Sequence, residues 1–112
     1  MPLSYTKTEN VLILYPTGRL DLEQSAFLER EIESLLIHET KCNFLINMAG
    51  VDYMNSYGLR IIIKTYMDLR HDSRILAICN INNTIRKLLD VIGSTDMFEV
   101  FNSEAEGVDF LR

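Results

Sequence analysis

The chain has 112 residues, of which 47% are hydrophobic and 24% are charged, and its formal net charge is -5 at pH 7. This composition is typical of one folded domain with a single hydrophobic core. The negative charge argues against nucleic acid or an anionic membrane as the main partner, and it leaves a basic partner open. No apolar run reaches the roughly 18 residues of a membrane span, and residues 1–5 lack the features of a signal peptide, so we expect a cytoplasmic protein.

The N-terminal part of the chain predicts a β-hairpin. Residues 3–8 and 11–15 are apolar or β-branched runs, and Glu9 and Asn10 separate them. Residues 16–18, with sequence P-T-G, close the second strand.

A helix is predicted next, because Asp21 is a good N-cap and Gln24 is spaced to complete a capping box. The apolar residues that follow recur at helical spacing on one face. They are Phe27, Leu28, Ile32, Leu35 and Leu36. Residues 41–48 then predict the third strand.

The most unusual residues of the chain lie in residues 51–69. Their apolar positions predict one face of a second helix. These positions are Leu59, Ile62, Ile63, Tyr66 and Leu69. Ahead of them, Asn55 or Ser56 can act as the N-cap, Tyr57 follows, and Gly58 allows another backbone or a partner to come close.

Ser56 therefore presents a hydroxyl at a helix N-terminus. Unpaired N–H groups and the helix dipole favour an anion at such a position, phosphate included. We identify Ser56 as a candidate phosphorylation site. The alternative is that Asn55 and Ser56 are ordinary helix caps.

Two further strands and two further helices are predicted in the rest of the chain. Residues 74–79 are a continuously apolar strand, as in the interior of a parallel sheet. Residues 84–92 are a helix that ends at Gly93. Residues 97–101 are the fifth strand.

A capping box of Ser103 and Glu106 opens the last helix, with an apolar stripe at Ala105, Val108 and Leu111. The order β-β-α-β-α-β-α-β-α predicts a single α/β domain with a mixed, mostly parallel sheet of about five strands and about four helices. The expected core consists of Ile13, Leu28, Ile32, Leu45, Ile46, Leu59, Ile62, Ile63, Ile78, Leu88 and Leu89.

The sequence predicts no catalytic, metal or cofactor site. The third strand ends in Asn47, an amide where an aspartyl phosphoacceptor would be needed. Six residues without glycine separate Cys79 from Arg86, one too many for a cysteine phosphatase loop. Walker A and G-x-G-x-x-G loops are missing from the sequence, and Cys42 and Cys79 form no C-x-x-C pair. We expect both thiols to be buried and inert.

Two segments carry a resemblance to a known family. The segment F-L-I-N-M-A-G-V-D-Y-M-N-S-Y-G-L at residues 44–59, the segment G-R-L-D-L at residues 18–22, and the element order resemble the STAS domain of bacterial anti-sigma factor antagonists. The likeness covers nearly the whole chain. The family's loop pattern is roughly L-D-L-S-x-V-x-x-[ML]-D-S-[ST]-G-L, and the serine or threonine before the glycine is the phosphoacceptor. The residues that agree with the family are Gly18, Asp21, Val51, Met54, Ser56, Gly58 and Leu59.

Three residues depart from the family pattern. Asn47 and Asn55 stand where the family has aspartate, and Tyr57 stands at the phosphoacceptor position. Tyr57 is not a like-for-like acceptor for a serine kinase, because its phenol oxygen projects further from the backbone. Ser56 is one residue away, which turns its side chain by roughly 100° along a helix.

The resemblance implies a non-enzymatic, protein-binding regulator without a cofactor. Such a protein binds an anti-sigma factor with a histidine-kinase-like serine kinase activity and frees a sigma factor, and phosphorylation of its loop releases it. The binding residues implied are Asp21, Asn55, Ser56, Tyr57, Gly58, Arg60 and Lys64. A solvated helix face is the alternative for Arg60 and Lys64, and homodimerisation is left open.

Two alternative functions remain open on the sequence. One is a constitutive STAS scaffold or signalling-complex subunit that is never phosphorylated, which Tyr57 and the two asparagines favour. The other is a small-molecule or lipid-pathway STAS subunit, as some family members are.

Overall fold

A computed structural model describes residues 3–91, 93 and 97–112, and this part of the chain holds seven strands and four helices. In chain order they are β1 Ser4–Thr8, β2 Val11–Tyr15, β3 Gly18–Leu20, α1 Leu22–His38, β4 Asn43–Asn47, β5 Val51–Met54, α2 Ser56–His71, β6 Leu76–Cys79, α3 Asn83–Val91, β7 Glu99–Phe101 and α4 Glu104–Leu111. The α/β class is confirmed. Ile92, which the sequence assigns to the third helix, lies outside the described residues.

The main sheet has five strands in the order β1-β2-β4-β6-β7. The first pair is antiparallel, as a hairpin requires, and the other three pairs are parallel. The mixed, mostly parallel sheet is therefore confirmed. Strand β6 lies between two parallel neighbours with all four residues buried, as its continuously apolar sequence predicts.

Alternation along the strands divides the core between the two faces of the sheet. Leu12 and Leu14 of β2 pack in a large cluster with buried residues of α1, α2 and α3. Val11 and Ile13 point to the opposite face, where Leu111 of α4 covers them. Three helices thus cover one face of the sheet, and the C-terminal helix covers the other.

Strands β3 and β5 lie between the elements that the sequence predicts. These strands pair with each other in parallel and form a separate two-stranded sheet, here called the β3–β5 ribbon. They have only three and four residues, and they pair across a long separation in the chain. Strands of this length give no alternating pattern that single-sequence reasoning can detect.

The buried face of α2 is rotated relative to the predicted stripe. Ile61 and Thr65 are buried, whereas Ile63 and Tyr66 are only half-buried. Helix α2 contacts α1 as well as the sheet side of the core, so its buried stripe includes Thr65. The Thr65 hydroxyl donates to the Ile61 carbonyl at 2.8 Å, which satisfies this buried polar group.

Most of the expected core is confirmed, with Ile63 and Leu88 half-buried instead of buried. In α1 the predicted Phe27 and Leu36 are likewise half-buried, and Ser25 is buried. The difference arises because α1 packs one narrow stripe inward and leaves its flanks at the edge of the core.

The stripe predicted for α4 is partly wrong, because Ala105 is exposed and Gly107 is buried. A Cβ on Gly107 would lie 2.7 Å from Cδ1 of Leu45, so glycine lets α4 approach the central strand closely. Ser103 is confirmed as the N-cap of α4, and the Glu106 side chain bonds to its hydroxyl. The Glu106 amide donates to Ser103 Oγ at 3.2 Å, and Ser103 Oγ donates to Glu106 Oε1 at 3.0 Å.

Candidate functional site

The β3–β5 ribbon brings two helix N-termini side by side. Strand β3 leads through Asp21 into α1, and strand β5 leads through Asn55 into α2. Leu20 and Met54 are register partners in the ribbon, and the Asn55 amide donates to the Leu20 carbonyl at 3.3 Å. The predicted site residues Asp21 and Asn55 are therefore adjacent, although they are far apart in the sequence.

Each helix is capped by the side chain at its start. Asp21 Oδ1 accepts from the Gln24 amide at 3.1 Å, which confirms Asp21 as the N-cap of α1. Asn55 Oδ1 accepts from the Tyr57 amide at 3.0 Å, so Asn55 is the N-cap of α2 and Ser56 is its first residue. Because Asn55 is uncharged, Asp21 supplies the only carboxylate of this pair of caps.

The first turn of α2 presents two side chains to solvent. Ser56 is exposed, and Tyr57 exposes 42% of its surface. Beside them Leu22, the first residue of α1, exposes 56% of its surface. The paired N-termini thus offer a hydroxyl, a phenol ring and an aliphatic side chain on one end of the molecule.

Gly58 fixes the position of this turn. A Cβ on Gly58 would lie 2.6 Å from Cγ of Met54 and 3.0 Å from the Leu20 carbonyl oxygen. The close approach that glycine permits is therefore to the ribbon of the same chain. Gly58 itself is buried and positions Ser56 and Tyr57.

Arg60 and Lys64 lie further along α2, and the structure distinguishes them. Lys64 Nζ lies 3.1 Å from Asp68 Oδ2 and 3.5 Å from Glu33 Oε1, and the hydrogen bond with Asp68 is the main reason that its pKa is raised. Lys64 therefore links α1 and α2, and its charge already has partners. Arg60 is exposed and forms no ion pair with a carboxylate in the part of the chain that the structure describes.

Asn47 is not part of this loop surface. Its Nδ2 donates to Glu104 Oε1 at 3.1 Å, and its Oδ1 accepts from the Ala49 amide at 3.0 Å. The residue ties the end of β4 to α4, on the other side of the sheet. Its departure from the family pattern thus concerns the anchoring of α4.

The sequence did not identify Arg19 and Tyr53 as site residues. They are register partners in the ribbon, and the Arg19 guanidinium carbon lies 4.1 Å from the centre of the Tyr53 ring. The pair lies two residues before the two N-caps. Only the pairing of β3 with β5 brings these side chains together, so no local pattern could have revealed them.

Within residues 3–91, 93 and 97–112 no group of three or more His, Cys, Asp or Glu side chains could hold a metal ion. Among the helices described, none has the length and apolar character needed to cross a membrane.

The chain belongs to the STAS domain family, whose model matches residues 3–107. It is 22% identical over 102 residues to the anti-sigma F factor antagonist of Paenibacillus polymyxa, which covers 91% of this chain and 87% of that relative. The family assignment made from the sequence is confirmed.

Solved structures share the fold across nearly the whole chain. A crystal structure of an anti-sigma factor antagonist from Mycobacterium paratuberculosis matches with a TM-score of 0.89 at 17% identity, covering 98% of this chain and 92% of that one. The structure of the Bacillus cell fate determinant SpoIIAA in its phosphorylated form matches with a TM-score of 0.77 at 17% identity, covering 98% and 99%.

Proposed function

We propose that this protein is an anti-sigma factor antagonist, a non-enzymatic regulator that binds an anti-sigma factor and thereby frees a sigma factor. The observation that carries the proposal is the pair of adjacent helix N-termini, with Ser56 and Tyr57 exposed on the first turn of α2. The relatives named anti-sigma factor antagonists support the same role. Such a protein acts in the cytoplasm, where transcription takes place.

The docking surface in this proposal is centred on Tyr57. An aromatic ring that is partly exposed on a rigid turn adds apolar contact area at little cost in side-chain entropy, as in many interface hot spots. Leu22 extends the apolar area, and Arg60 adds a positive charge one helical turn further on. The partner is an anti-sigma factor of the histidine-kinase-like serine kinase type.

Phosphorylation of Ser56 is the proposed form of control. A phosphate would add a charge of about -1.5 to -2 at the N-terminus of α2, where the helix dipole stabilises it. Docking would remove water from the charged phosphate, which costs free energy, and the phosphate would also lie near the Asp21 carboxylate. Both effects would weaken docking.

A constitutive antagonist is the second candidate, and Tyr57 at the usual phosphoacceptor position favours it. In that case the phenol ring binds the partner permanently and no kinase acts on the loop. The binding surface is the same in both cases, and only its regulation differs.

Binding to the kinase-type anti-sigma factor tests the proposal. The chain would be used to isolate a histidine-kinase-like serine kinase from its native cell. Binding between the two purified proteins would then be measured by isothermal titration calorimetry before and after incubation with ATP and Mg²⁺. Loss of binding together with phosphate on Ser56 by mass spectrometry supports the switch. Unchanged binding without phosphate supports the constitutive form, and the lack of any bound kinase contradicts the proposed function.

A further inference from the structure

We infer that Arg19, stacked on Tyr53, is a specificity-determining contact of the docking surface and binds a carboxylate of the partner. The inference rests on the proposed function and identifies the chemistry that the partner must present: an aspartate or glutamate side chain beside the apolar area that meets Tyr57. Tyr53 is the positioning residue that holds the guanidinium.

The ribbon geometry places this pair on the outer face. Leu20 and Met54, the next register partners along the ribbon, are both buried against the core. Side chains alternate along a strand, so Arg19 and Tyr53 point away from the core, with Arg19 exposed and Tyr53 half-buried. The guanidinium lies over the ring at 4.1 Å, a distance typical of a cation–π contact.

The environment of Arg19 differs from that of the basic groups that form ion pairs. The sequence carries 16 acidic and 11 basic side chains, and several basic groups are paired with carboxylates. Lys7 pairs with Glu39, Lys64 with Asp68, Arg74 with Asp72 and Arg112 with Asp109. Among the described residues Arg19 has no such partner, and its charge interacts with an aromatic face instead.

This arrangement leaves the donors of the guanidinium available in a fixed orientation. A stacked guanidinium keeps its planar edge free for two parallel hydrogen bonds to a carboxylate. The ring also restricts the side chain before binding, which reduces the entropy lost on association. Arginine and tyrosine are both common among residues that dominate binding energy.

The position of the pair connects it to the proposed docking surface. Arg19 precedes the N-cap Asp21 by two residues, and Tyr53 precedes the N-cap Asn55 by two residues. A partner that covers Tyr57 on the first turn of α2 therefore reaches the outer face of the ribbon as well.

The test uses isothermal titration calorimetry to measure the affinity of the histidine-kinase-like serine kinase, isolated from the native cell, for variants of the full chain. Arg19→Ala is expected to weaken binding about tenfold, and Arg19→Glu more strongly, because it sets two carboxylates against each other. Arg19→Lys is expected to lie between the wild type and Arg19→Ala, since lysine keeps the charge but loses the planar fork and the stack. Tyr53→Phe keeps the ring and should bind like the wild type.

Arg30→Glu is the matched control. Arg30 is an exposed arginine in the middle of α1, and its guanidinium carbon lies 5.9 Å from the Phe27 ring. It therefore undergoes the same charge change in a similar aromatic contact, at a distance from both N-caps. Circular dichroism melts of every variant establish that the fold is retained.

The outcomes separate this inference from the proposed function. If the wild type binds the kinase and Arg19→Glu binds it with an affinity within about twofold of the wild type, the role of Arg19 is overturned and the proposed function stands. An equal loss with Arg30→Glu also overturns it, because the effect would then be one of net charge. If the wild type binds no such kinase, both fall. A loss confined to the Arg19 variants supports the inference.

Discussion

The side-chain amide of Asn47 donates a hydrogen bond to Oε1 of Glu104 across 3.1 Å. The Tyr15 hydroxyl donates to the same oxygen at 2.7 Å, so one carboxylate of α4 joins the ends of two neighbouring strands, β2 and β4. Asn47 in turn holds the Ala49 amide in the turn that leads to β5. The STAS pattern has aspartate at this position, and in this chain aspartate would face the Glu104 carboxylate.

Asn47→Asp is therefore expected to destabilise the protein at pH 7. The substitution removes a donor and places two carboxylates together, which we expect to cost about 1–3 kcal/mol in the free energy of unfolding. The effect should shrink as the pH falls below about 5, because protonation of one carboxyl restores a donor. Urea melts at pH 7 and pH 4 measure both quantities.

The double variant Asn47→Asp/Glu104→Gln provides the control for this prediction. Glutamine removes one of the two charges and can donate to the new carboxylate, so the double variant should recover part of the lost stability. Equal unfolding free energies for the wild type and Asn47→Asp at pH 7 would show that the network has no energetic role.

Gly58→Ala is expected to disturb the start of α2. The new Cβ would lie 2.9 Å from Cβ of Leu20 and 3.0 Å from its carbonyl oxygen, and a backbone atom cannot move aside as a flexible side chain can. We expect a loss of about 1–3 kcal/mol in unfolding free energy, the usual range for overpacking. Ser56→Ala, at an exposed position in the same turn, should change it by less than about 0.5 kcal/mol. A melt of Gly58→Ala that matches the wild type would contradict the close packing of α2 on the ribbon.

Both cysteines are expected to be unreactive in the native state. Burial raises the pKa of Cys79 to about 12, and the nearby Glu104 carboxylate adds to the shift. Burial is also the main cause that raises the pKa of Cys42. At pH 8 both thiols are therefore protonated and should resist a chromogenic disulfide reagent, and both should react once the protein is denatured. Rapid reaction of Cys79 in the native protein would revive a thiolate role for that residue.

The sequence predicted the features that depend on local patterns. The caps Asp21 and Ser103 could be predicted because capping needs only a side-chain acceptor and an amide three residues later. The sheet could be predicted because the apolar runs at β6 and its neighbours must be buried, and in an α/β domain they are buried as strands of a sheet that helices cover.

Features that depend on pairing between distant segments could not be predicted. The contact of Arg19 with Tyr53 exists only because β3 pairs with β5, and the bond of Asn47 to Glu104 joins residues 57 positions apart. The rotated face of α2 has the same origin. Ile61 lies outside the predicted apolar stripe, and it is buried because of contacts with other elements. The adjacency of Asp21 and Asn55 likewise follows from the ribbon.

Tyr57 and Ser56 are neighbours with opposite expected effects on partner binding. Tyr57 exposes 42% of its surface beside the N-cap of α2, so removal of its ring should remove contact area that the partner covers. Tyr57→Ala is expected to weaken binding of the kinase-type anti-sigma factor by about 1 kcal/mol or more, the threshold for a meaningful interface residue. Ser56→Ala removes only a small hydroxyl and should leave binding nearly unchanged, which makes it the control for truncation in the same turn.

Ser56→Asp distinguishes the two forms of regulation, because a carboxylate carries part of the charge of a phosphate. Under the switch it should abolish binding in titration calorimetry, and protein from the native cell should carry phosphate on Ser56. Binding by Ser56→Asp within about tenfold of the wild type, together with no phosphate on Ser56 in protein from the native cell, supports the constitutive form. Full binding by Tyr57→Ala would be inconsistent with both forms, because each places the phenol ring at the centre of the docking surface.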